Sequence, residues 1–309
     1  MSSAGPDVPG NLDNAHLFCK VAVMPTLIPG TVDEAVSQLA QHPAATLLAG
    51  GTDLMVEINE GHRRPDGPVI LLNRIAELRT WSHDPIHRSV TIGAAITYTE
   101  LLTDPLAALL PALADASRTV GSPQIRNAGT LGGNLGTCSP AGDSLPVLAA
   151  LDATINVASL AERRSIPIGD FMVGPKRNSL VSGELIVSVT IPVIDGWQGY
   201  AKVGVRNAMV ISVASVALVL DRSSRSVRIA LGSVGPAVLR CPAAEAQLSK
   251  AIDWETMHVN TSDVDQFAEF VKDASAPITD HRSTAEYRTH AVEVLARRLV
   301  SRAVVRQAA

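Results

Sequence analysis

Aromatic side chains and cysteines are both scarce in this chain, which limits what its core and its sites can contain. Of the 309 residues, 3% are aromatic and 46% are hydrophobic, so valine, leucine, isoleucine and alanine must fill the core. Cys19, Cys138 and Cys241 lie far apart, and none belongs to a C-x-x-C pair. This spacing argues against an iron–sulfur cluster or a structural zinc site held by this chain alone.

Long apolar runs, excess positive charge and paired histidines are also missing. No apolar run approaches the ~20 residues that cross a bilayer. A net charge of −4 argues against an electrostatic nucleic-acid binder. His83 and His87 are separated by Pro85, which argues against a helical pair of metal ligands. We therefore expect no bound metal, no nucleic-acid partner and no transmembrane segment.

The N-terminal stretch lacks the basic and apolar regions of a signal peptide. Residues 1–14 are rich in Gly, Pro, Asp and Asn, and we expect residues 1–20 to form a flexible lead-in. Together with the low cysteine content, this favours a reducing, cytoplasmic setting, with any membrane association made through a complex.

Glycine, by contrast, is concentrated in one stretch of the chain. Residues 127–143 read N-A-G-T-L-G-G-N-L-G-T-C-S-P-A-G-D and contain five glycines. Because glycine and proline disfavour both helix and strand interiors, we expect a long loop here. Such a loop brings bare backbone N–H groups close to a ligand. Loops of this length are uncommon unless they are functional.

A shorter glycine run, A-G-G-T-D-L-M, occupies residues 49–55 and follows an apolar strand predicted at residues 45–48. Two such loops suggest a large phosphate-containing ligand held from two sides. Neither loop has the G-x-G-x-x-G dinucleotide spacing or the Gly-Lys-Ser/Thr of a P-loop. Taken alone, the first run also fits an ordinary strand-to-helix turn with Thr52 or Asp53 as the N-cap.

Several single residues have more than one interpretation. Cys138 could be a reactive thiol, although a small side chain packed within the loop is the commoner role. Arg177, Lys202 and Arg206 lie near apolar or loop segments, where charges are more often solvated surface groups. No Ser-centred G-x-S-x-G elbow surrounds Ser139 or Ser144.

Periodicity divides the chain near Asp195. Strands and helices alternate before this point, and strands followed by helices come after it, which predicts an α/β part and then an α+β part. We predict strands at residues 45–48, 69–72, 89–94, 153–158, 166–171, 185–191, 200–205 and 227–234. We predict helices at residues 32–41, 105–119, 145–151, 243–250, 263–274 and 284–302. A break is expected around Gly196–Gly199, and an apolar run covers residues 208–220.

Three motifs resemble a known family. They are A-G-G-T-D-L at residues 49–54, R-N-A-G-T-L-G-G-N-L-G-T-C-S-P-A-G-D at residues 126–143, and D-H-R-S-T-A-E-Y-R at residues 280–288. The chain resembles the FAD-binding subunits of molybdenum hydroxylases, of the xanthine dehydrogenase and carbon monoxide dehydrogenase type. The resemblance extends over residues 25–302.

The resemblance implies an α+β fold with a vanillyl-alcohol-oxidase (PCMH)-type FAD-binding domain. That domain would span residues 21–195, as two α/β subdomains of about 21–75 and 76–195. An α+β domain of the CO dehydrogenase flavoprotein type would follow at residues 196–309. The resemblance also implies that FAD binds to Leu48, Ala49, Gly50, Gly51, Thr52, Asp53, Leu54, Val120, Gly129, Thr130, Gly133, Asn134, Thr137, Asp143, Leu185, Ile186 and Lys202.

Particular roles follow from the resemblance for some of these residues. Residues 48–54 would wrap the FAD pyrophosphate, and Asp143 would bind hydroxyls on the adenosine side. Leu185 and Ile186 would pack on the flavin or adenine ring. Lys202 would lie near the flavin and favour its anionic reduced form. The cluster of Asp280, Arg282, Tyr287 and Arg288 would be structural or would face another subunit.

The resemblance further implies partners that carry the remaining cofactors. A large subunit would hold the molybdenum–molybdopterin cofactor and a small subunit the [2Fe–2S] clusters, assembled as a dimer of heterotrimers. Electrons would pass through FAD to NAD⁺, a quinone or oxygen, and no catalytic residue is expected on this chain.

One departure and several alternatives accompany the resemblance. Residues 21–25 read V-A-V-M-P where the family often has F-x-Y-x-R-P, so aromatic contacts are missing there. Residues 137–139, T-C-S, resemble the xanthine dehydrogenase branch. A carbon monoxide dehydrogenase medium subunit, a stand-alone FAD-binding reductase and a non-flavin sugar-nucleotide enzyme remain alternatives.

Overall fold

The computed structural model describes residues 25–305. The expectations for residues 1–20, for Cys19 and for residues 21–24 lie outside this range. The order predicted after residue 195, strands followed by helices, is confirmed. Before it, a parallel sheet with helices fits the α/β prediction, but a five-stranded antiparallel sheet follows that was not predicted.

The first sheet is small and parallel, and it places the first glycine run at its edge. The strands β1 (Thr26–Leu27), β2 (Thr46–Leu48) and β3 (Val69–Leu71) pair in the order β1-β3-β2. Helix α1 (Val32–Gln41) connects β1 to β2, and α2 (Leu54–Asn59) follows the glycine run. Because ligands bind beyond the carboxyl ends of parallel strands, this position favours a binding site.

The second sheet is antiparallel and has five strands, in the order β4-β5-β10-β6-β7. These are β4 (Trp81–Asp84), β5 (Ser89–Gly93), β6 (Thr154–Ala158), β7 (Arg163–Pro167) and β10 (Leu185–Pro192). A separate hairpin of β8 (Met172–Gly174) and β9 (Arg177–Asn178) precedes the central strand β10. Alternate residues of β5, β6 and β10 are buried, as a sheet with one covered face requires.

Most of the chain between β3 and β10 that is not in this sheet forms short helices. They are a 3₁₀ turn (Ala76–Arg79), α3 (Tyr98–Leu101), α4 (Leu106–Leu109), α5 (Pro111–Thr119), α6 (Pro123–Ala128), α7 (Leu131–Thr137), α8 (Ser144–Ala150) and α9 (Ile168–Phe171). Helix α8 is buried along its whole length and packs against the third sheet.

The third sheet lies between two hydrophobic cores. Its strands are β11 (Gly196–Val203), β12 (Ala214–Asp221), β13 (Ser226–Gly232) and β14 (Leu239–Arg240). The helices α10 (Pro242–Ala251), α11 (Thr261–Ala274) and α12 (Ala285–Val305) follow. Ala217 and Val219 belong to the core of the first part, whereas Val216 and Leu218 belong to the core beneath the helices. Burial on both faces explains why β12 is apolar from Val216 to Leu220.

The expected loop at residues 127–143 was the largest error of the sequence interpretation, because the structure has helix α7 there. Thr130 caps this helix, and its hydroxyl accepts a hydrogen bond from the Gly133 amide at 3.0 Å. Leu131 and Leu135 are fully buried in the core. Capping and burial together outweigh the low helix propensity of glycine, which costs only about 1 kcal/mol per residue.

Other element boundaries differ for local reasons. The helix predicted at residues 105–119 is interrupted at Leu110, because Pro111 begins α5. The strand predicted at residues 166–171 ends at Pro167, and residues 168–171 form a helical turn. The expected break at Gly196–Gly199 is instead the start of β11.

The C-terminal motif is largely internal. The guanidinium of Arg288 is buried and donates to the carbonyl oxygens of Val213 and Ser233, at 2.8 and 2.9 Å, and to Asp280 at 2.7 Å. These bonds connect α12 to the third sheet, which supports a structural role for Asp280 and Arg288. Tyr287 is half exposed. Within residues 25–305, no helix is long and apolar enough to cross a membrane.

Candidate functional site: an FAD cavity

A cavity of about 840 Å³ lies between the two glycine motifs. This volume is near the upper end of the ~300–1,000 Å³ that small-molecule sites usually enclose. Residues of the first two sheets and of the connection between β11 and β12 reach its wall. It receives residues 47–54 from the edge of the first sheet and residues 130–143 from α7 and the turn after it. Residues 180–186 before and within β10, and residues 209–211 after β11, complete the wall.

The first glycine motif, residues 49–54, connects β2 to α2 with the backbone facing the cavity. Asp53 is the N-cap of α2 but makes no side-chain bond to the helix. The Met55 amide in the first turn of α2 donates to the Gly51 carbonyl at 3.0 Å, so the amides offered to an anionic ligand are those of the motif itself. Gly51 has a φ of +72°, a conformation that a residue with a Cβ rarely adopts.

The two motifs contact each other directly. A methyl group on Gly50 would overlap the backbone carbonyl of Ala128, so glycine is required for this close approach. Beyond the contact, the Thr137 hydroxyl donates to the Asp53 carboxylate at 3.0 Å. The motifs therefore form one continuous wall.

The glycines of α7 face in two directions. A Cβ on Gly132 would lie 2.5 Å from the Cβ of Ala94, so this residue lets the helix pack on the end of β5. Gly132, Gly133 and Gly136 all line the cavity, and the last two lie one helical turn apart. A Cβ on Gly133 would approach only the Thr130 hydroxyl, and one on Gly136 would meet nothing within 4 Å. This face of the helix is open to a ligand that lies against bare backbone.

All but two of the residues predicted to bind the cofactor line this cavity. Gly129 does not, because it packs beside the ring of Tyr98. Lys202 does not, because it lies behind the wall. Its ammonium donates to the carboxylate of Asp143 at 2.6 Å and to the carbonyl oxygens of Thr119 and Val210, at 2.9 and 3.2 Å.

Asp143 and Lys202 form a buried ion pair, and each side chain is 8% exposed. The interpretation of Lys202 as a solvated surface charge is therefore wrong. Burial raises the pKa of Asp143, and the Lys202 ammonium and the hydroxyls of Tyr200 and Thr119 oppose this rise. The Tyr200 hydroxyl donates to Asp143 at 2.8 Å, and burial raises the pKa of Tyr200 well above its ordinary value. With an ammonium at 2.6 Å, we take Asp143 to be ionised.

The sequence interpretation missed some residues of the wall. Lys176 and Asn178 reach the cavity from the β8–β9 hairpin, and no motif marks either residue. Glu184 immediately precedes Leu185, a predicted cofactor-binding residue, and this adjacency could have identified Glu184 from the sequence. Glu184 accepts from Arg164 through two bonds of 2.6 and 2.9 Å, and these hydrogen bonds lower its pKa. Glu184 also accepts from the Val181 amide, so it orders the segment that leads into β10.

Comparison with known proteins identifies the ligand. A family model described as the FAD binding domain in molybdopterin dehydrogenase matches residues 21–194, more than half of the chain. The CO dehydrogenase flavoprotein C-terminal domain matches residues 200–303. The chain belongs to this family of FAD-binding subunits. The predicted family, fold class and FAD cofactor are thus confirmed, and the chain is an oxidoreductase subunit.

Individual relatives agree with this assignment. The subunit is 31% identical to the xanthine dehydrogenase FAD-binding subunit of Escherichia coli O157:H7, over 89% of this chain and 94% of that protein. It is also 31% identical to the carbon monoxide dehydrogenase medium chain of Hydrogenophaga pseudoflava, with the same coverage. A solved carbon monoxide dehydrogenase from H. pseudoflava superposes with a TM-score of 0.81 at 29% identity, covering 92% of this chain and 98% of that one.

The cavity of this FAD-binding subunit suits a long ligand with a charged middle and flat ends. Glycine backbone lies on one side, at Gly50 and Gly51. Apolar side chains, including those of Leu185, Ile186 and Val210, lie elsewhere in the wall. The open face of α7 lets a flat ring or a phosphate approach the backbone.

Proposed function

We propose that this chain is the medium subunit of a three-subunit molybdenum hydroxylase and binds the FAD that passes electrons to an external acceptor. A large molybdopterin-binding subunit and a small [2Fe–2S] subunit would be its partners, in a dimer of heterotrimers. The observation that carries this proposal is the convergence of two distant glycine motifs on one cavity wall. Similarity to a carbon monoxide dehydrogenase medium chain supports the multi-subunit arrangement.

Different segments of the cavity wall bind different parts of the cofactor. We assign the FAD pyrophosphate to the backbone amides of residues 49–54, and the open face of α7 to the opposite side of the cofactor. Leu185 and Ile186 provide an apolar surface for a ring. Bound FAD supplies the chemistry of accepting electrons from iron–sulfur clusters and releasing them to an external acceptor.

The carboxylate of Asp143 has one hydrogen-bond acceptor position left for the cofactor. One of its oxygens accepts from Lys202 and Thr119, and the other accepts from Tyr200. A carboxylate offers about four acceptor positions. One position thus remains for a ribose hydroxyl on the adenosine side of FAD, as the family resemblance implies. The other bonds of Asp143 fix its orientation toward the cavity.

We assign the chain to the xanthine dehydrogenase-like branch, on the basis of Thr137-Cys138-Ser139. Sequence identity is equal, at 31%, to a xanthine dehydrogenase subunit and to a carbon monoxide dehydrogenase chain, so the motif carries this choice. We also propose a boundary near residue 195 between the FAD-binding domain and the C-terminal domain. The core between the third sheet and its helices supports this division.

Purification of the protein from its native source tests the assembly. We expect FAD, molybdenum and iron to copurify in a fixed ratio with two further polypeptides. Isolation of a flavoprotein that runs alone and reduces acceptors without molybdenum would support the stand-alone reductase instead. Oxidation of a purine or another N-heterocycle by the complex would support the proposed branch, and oxidation of carbon monoxide would contradict it.

A further inference from the structure

The segment between β11 and β12 carries an apolar surface that the protein leaves uncovered. We call residues 204–212 the strap. The side chains of Met209, Val210 and Ile211 line the cavity, yet Met209 and Ile211 are 55% and 52% exposed. The base of the strap is closed by a hydrogen bond of 2.8 Å from the Val213 amide to the Val203 carbonyl. Apolar side chains at an open cavity form a surface that a flat ring can cover.

Two cationic side chains hold the backbone of the strap. The guanidinium of Arg206 donates to the carbonyl oxygens of Ala208 and Met209. The ammonium of Lys202 donates to the next carbonyl, that of Val210, at 3.2 Å. The carbonyl oxygens of three successive residues, Ala208, Met209 and Val210, therefore accept hydrogen bonds from cationic side chains, while residues 209–211 line the cavity.

The bond from Lys202 differs from those of Arg206 because it leaves the strap. Arg206 belongs to the strap and stabilises its internal conformation only. Lys202 also binds Asp143 at 2.6 Å and the Thr119 carbonyl at 2.9 Å. Asp143 is part of the cavity wall, and Thr119 precedes the wall residue Val120. One ammonium thus connects the strap to two segments on the opposite side of the domain boundary.

We propose that Lys202 is the positioning residue that fixes the strap over the cofactor. This inference rests on the proposal that the cavity holds FAD. Because Lys202 is neutralised by Asp143 and lies behind the wall, it acts through the placement of Val210 and its neighbours. It does not act as a free positive charge beside the flavin.

Limited trypsin digestion of the FAD-loaded full chain tests the position of the strap. Cleavage after Arg206 divides the chain into pieces of about two thirds and one third of its length, which mass spectrometry identifies. We expect Lys202→Met to accelerate this cleavage about tenfold, since a charged hydrogen bond contributes at least that factor. FAD release should accelerate by a similar factor, and the visible circular dichroism of the bound flavin should change.

Tyr200→Phe is the matched control, because it removes a bond to Asp143 without touching the strap. It should lower the melting temperature and, because Tyr200 orients Asp143, weaken FAD binding, but it should leave cleavage after Arg206 at its wild-type rate. A double variant, Lys202→Met with Asp143→Asn, leaves no buried charge unpaired and serves if the single variant fails to fold. It should also cleave faster.

Two results would overturn the inference. One is wild-type rates of cleavage and FAD release in both Lys202 variants. The other is an acceleration of cleavage in Tyr200→Phe equal to that in Lys202→Met. Failure of FAD binding at the cavity would look different, because the wild-type chain itself would then bind no FAD. Failure of the three-subunit assembly would appear in the copurification only and would leave this experiment unchanged.

Discussion

The hydroxyl of Thr137 donates to the carboxylate of Asp53 at 3.0 Å, across 84 positions of sequence. This bond joins the end of α7 to the start of α2, and both residues line the FAD cavity. The two glycine motifs are therefore held to each other by a side-chain bond as well as by the contact of Gly50 with Ala128. Their relative position determines the width of the site.

Breaking this bond should weaken FAD binding. We expect Thr137→Val to raise the Kd for FAD up to about tenfold, because a net hydrogen bond contributes ~0.5–1.5 kcal/mol. Thr137→Ser keeps the hydroxyl and should restore binding. Flavin fluorescence titration of the apoprotein measures both constants. Equal loss in the serine and valine variants would show that the hydroxyl bond is not responsible.

Neighbouring glycines of α7 should respond differently to the same substitution. Gly133→Val places side-chain atoms in the cavity and should abolish FAD retention with a small loss of stability, since it crowds only Thr130. Gly132→Val forces the helix away from Ala94 and should lower the free energy of unfolding by ~1–3 kcal/mol. Flavin absorbance and denaturant unfolding separate the two effects. Unchanged flavin content in Gly133→Val would contradict the placement of the cofactor.

The buried pair Asp143–Lys202 should show strong coupling. Either Asp143→Asn or Lys202→Met leaves a partner unpaired in the interior, and we expect each to cost ~3–5 kcal/mol of unfolding free energy. The double variant should cost less than the sum of the two single variants. A double-mutant cycle by urea denaturation gives the coupling energy, and strict additivity would show that the pair does not interact.

Asp280 should make stability depend on acid pH. Burial opposes ionisation of this carboxyl, but hydrogen bonds from the Arg282 and Ser283 amides and from Arg288 outweigh it and lower its pKa to about 2. Because the folded-state pKa lies below the ordinary value of 3.8, the contribution is complete above about pH 4. It is lost as the pH falls toward 2. Asp280→Asn should therefore be less stable than wild type at pH 5, and the difference should shrink on acidification.

The cysteines of the described part of the chain should be unreactive in the native state. Burial raises the pKa of the Cys138 thiol, and burial with the nearby Glu245 raises that of Cys241 to about 12. Both side chains are buried. We expect iodoacetamide at neutral pH to modify neither residue until the protein is denatured. Peptide mass mapping measures this, and rapid native labelling of Cys138 would revive its interpretation as a reactive thiol.

Much of the site could be predicted because it is built from glycine. A larger side chain at Gly50 would meet protein backbone, one at Gly133 would enter the cavity, and Gly51 has a positive φ, and such requirements appear directly in the sequence. The conformation of the second motif could not be read in the same way. Its helix exists because Leu131 and Leu135 are buried and Thr130 caps it, and the core that buries them is a tertiary property.

Lys202 shows a second limit of sequence interpretation. Its neighbours in sequence are apolar and give no sign of a charged partner. Asp143, Thr119 and Val210 come together only when the third sheet docks against the first part of the chain. The strap was missed for a similar reason, because the apolar run at residues 208–220 continues into β12 without a visible boundary.

The cavity wall extends from residue 39 to residue 211. A ribosome synthesises these segments in order, and the strap is the last of them to emerge. A nascent chain that has completed both glycine motifs still lacks the strap and the lysine that anchors it. The full FAD site can therefore form only after about two thirds of the polypeptide has left the ribosome, so cofactor loading requires that β11 and the strap have been synthesised.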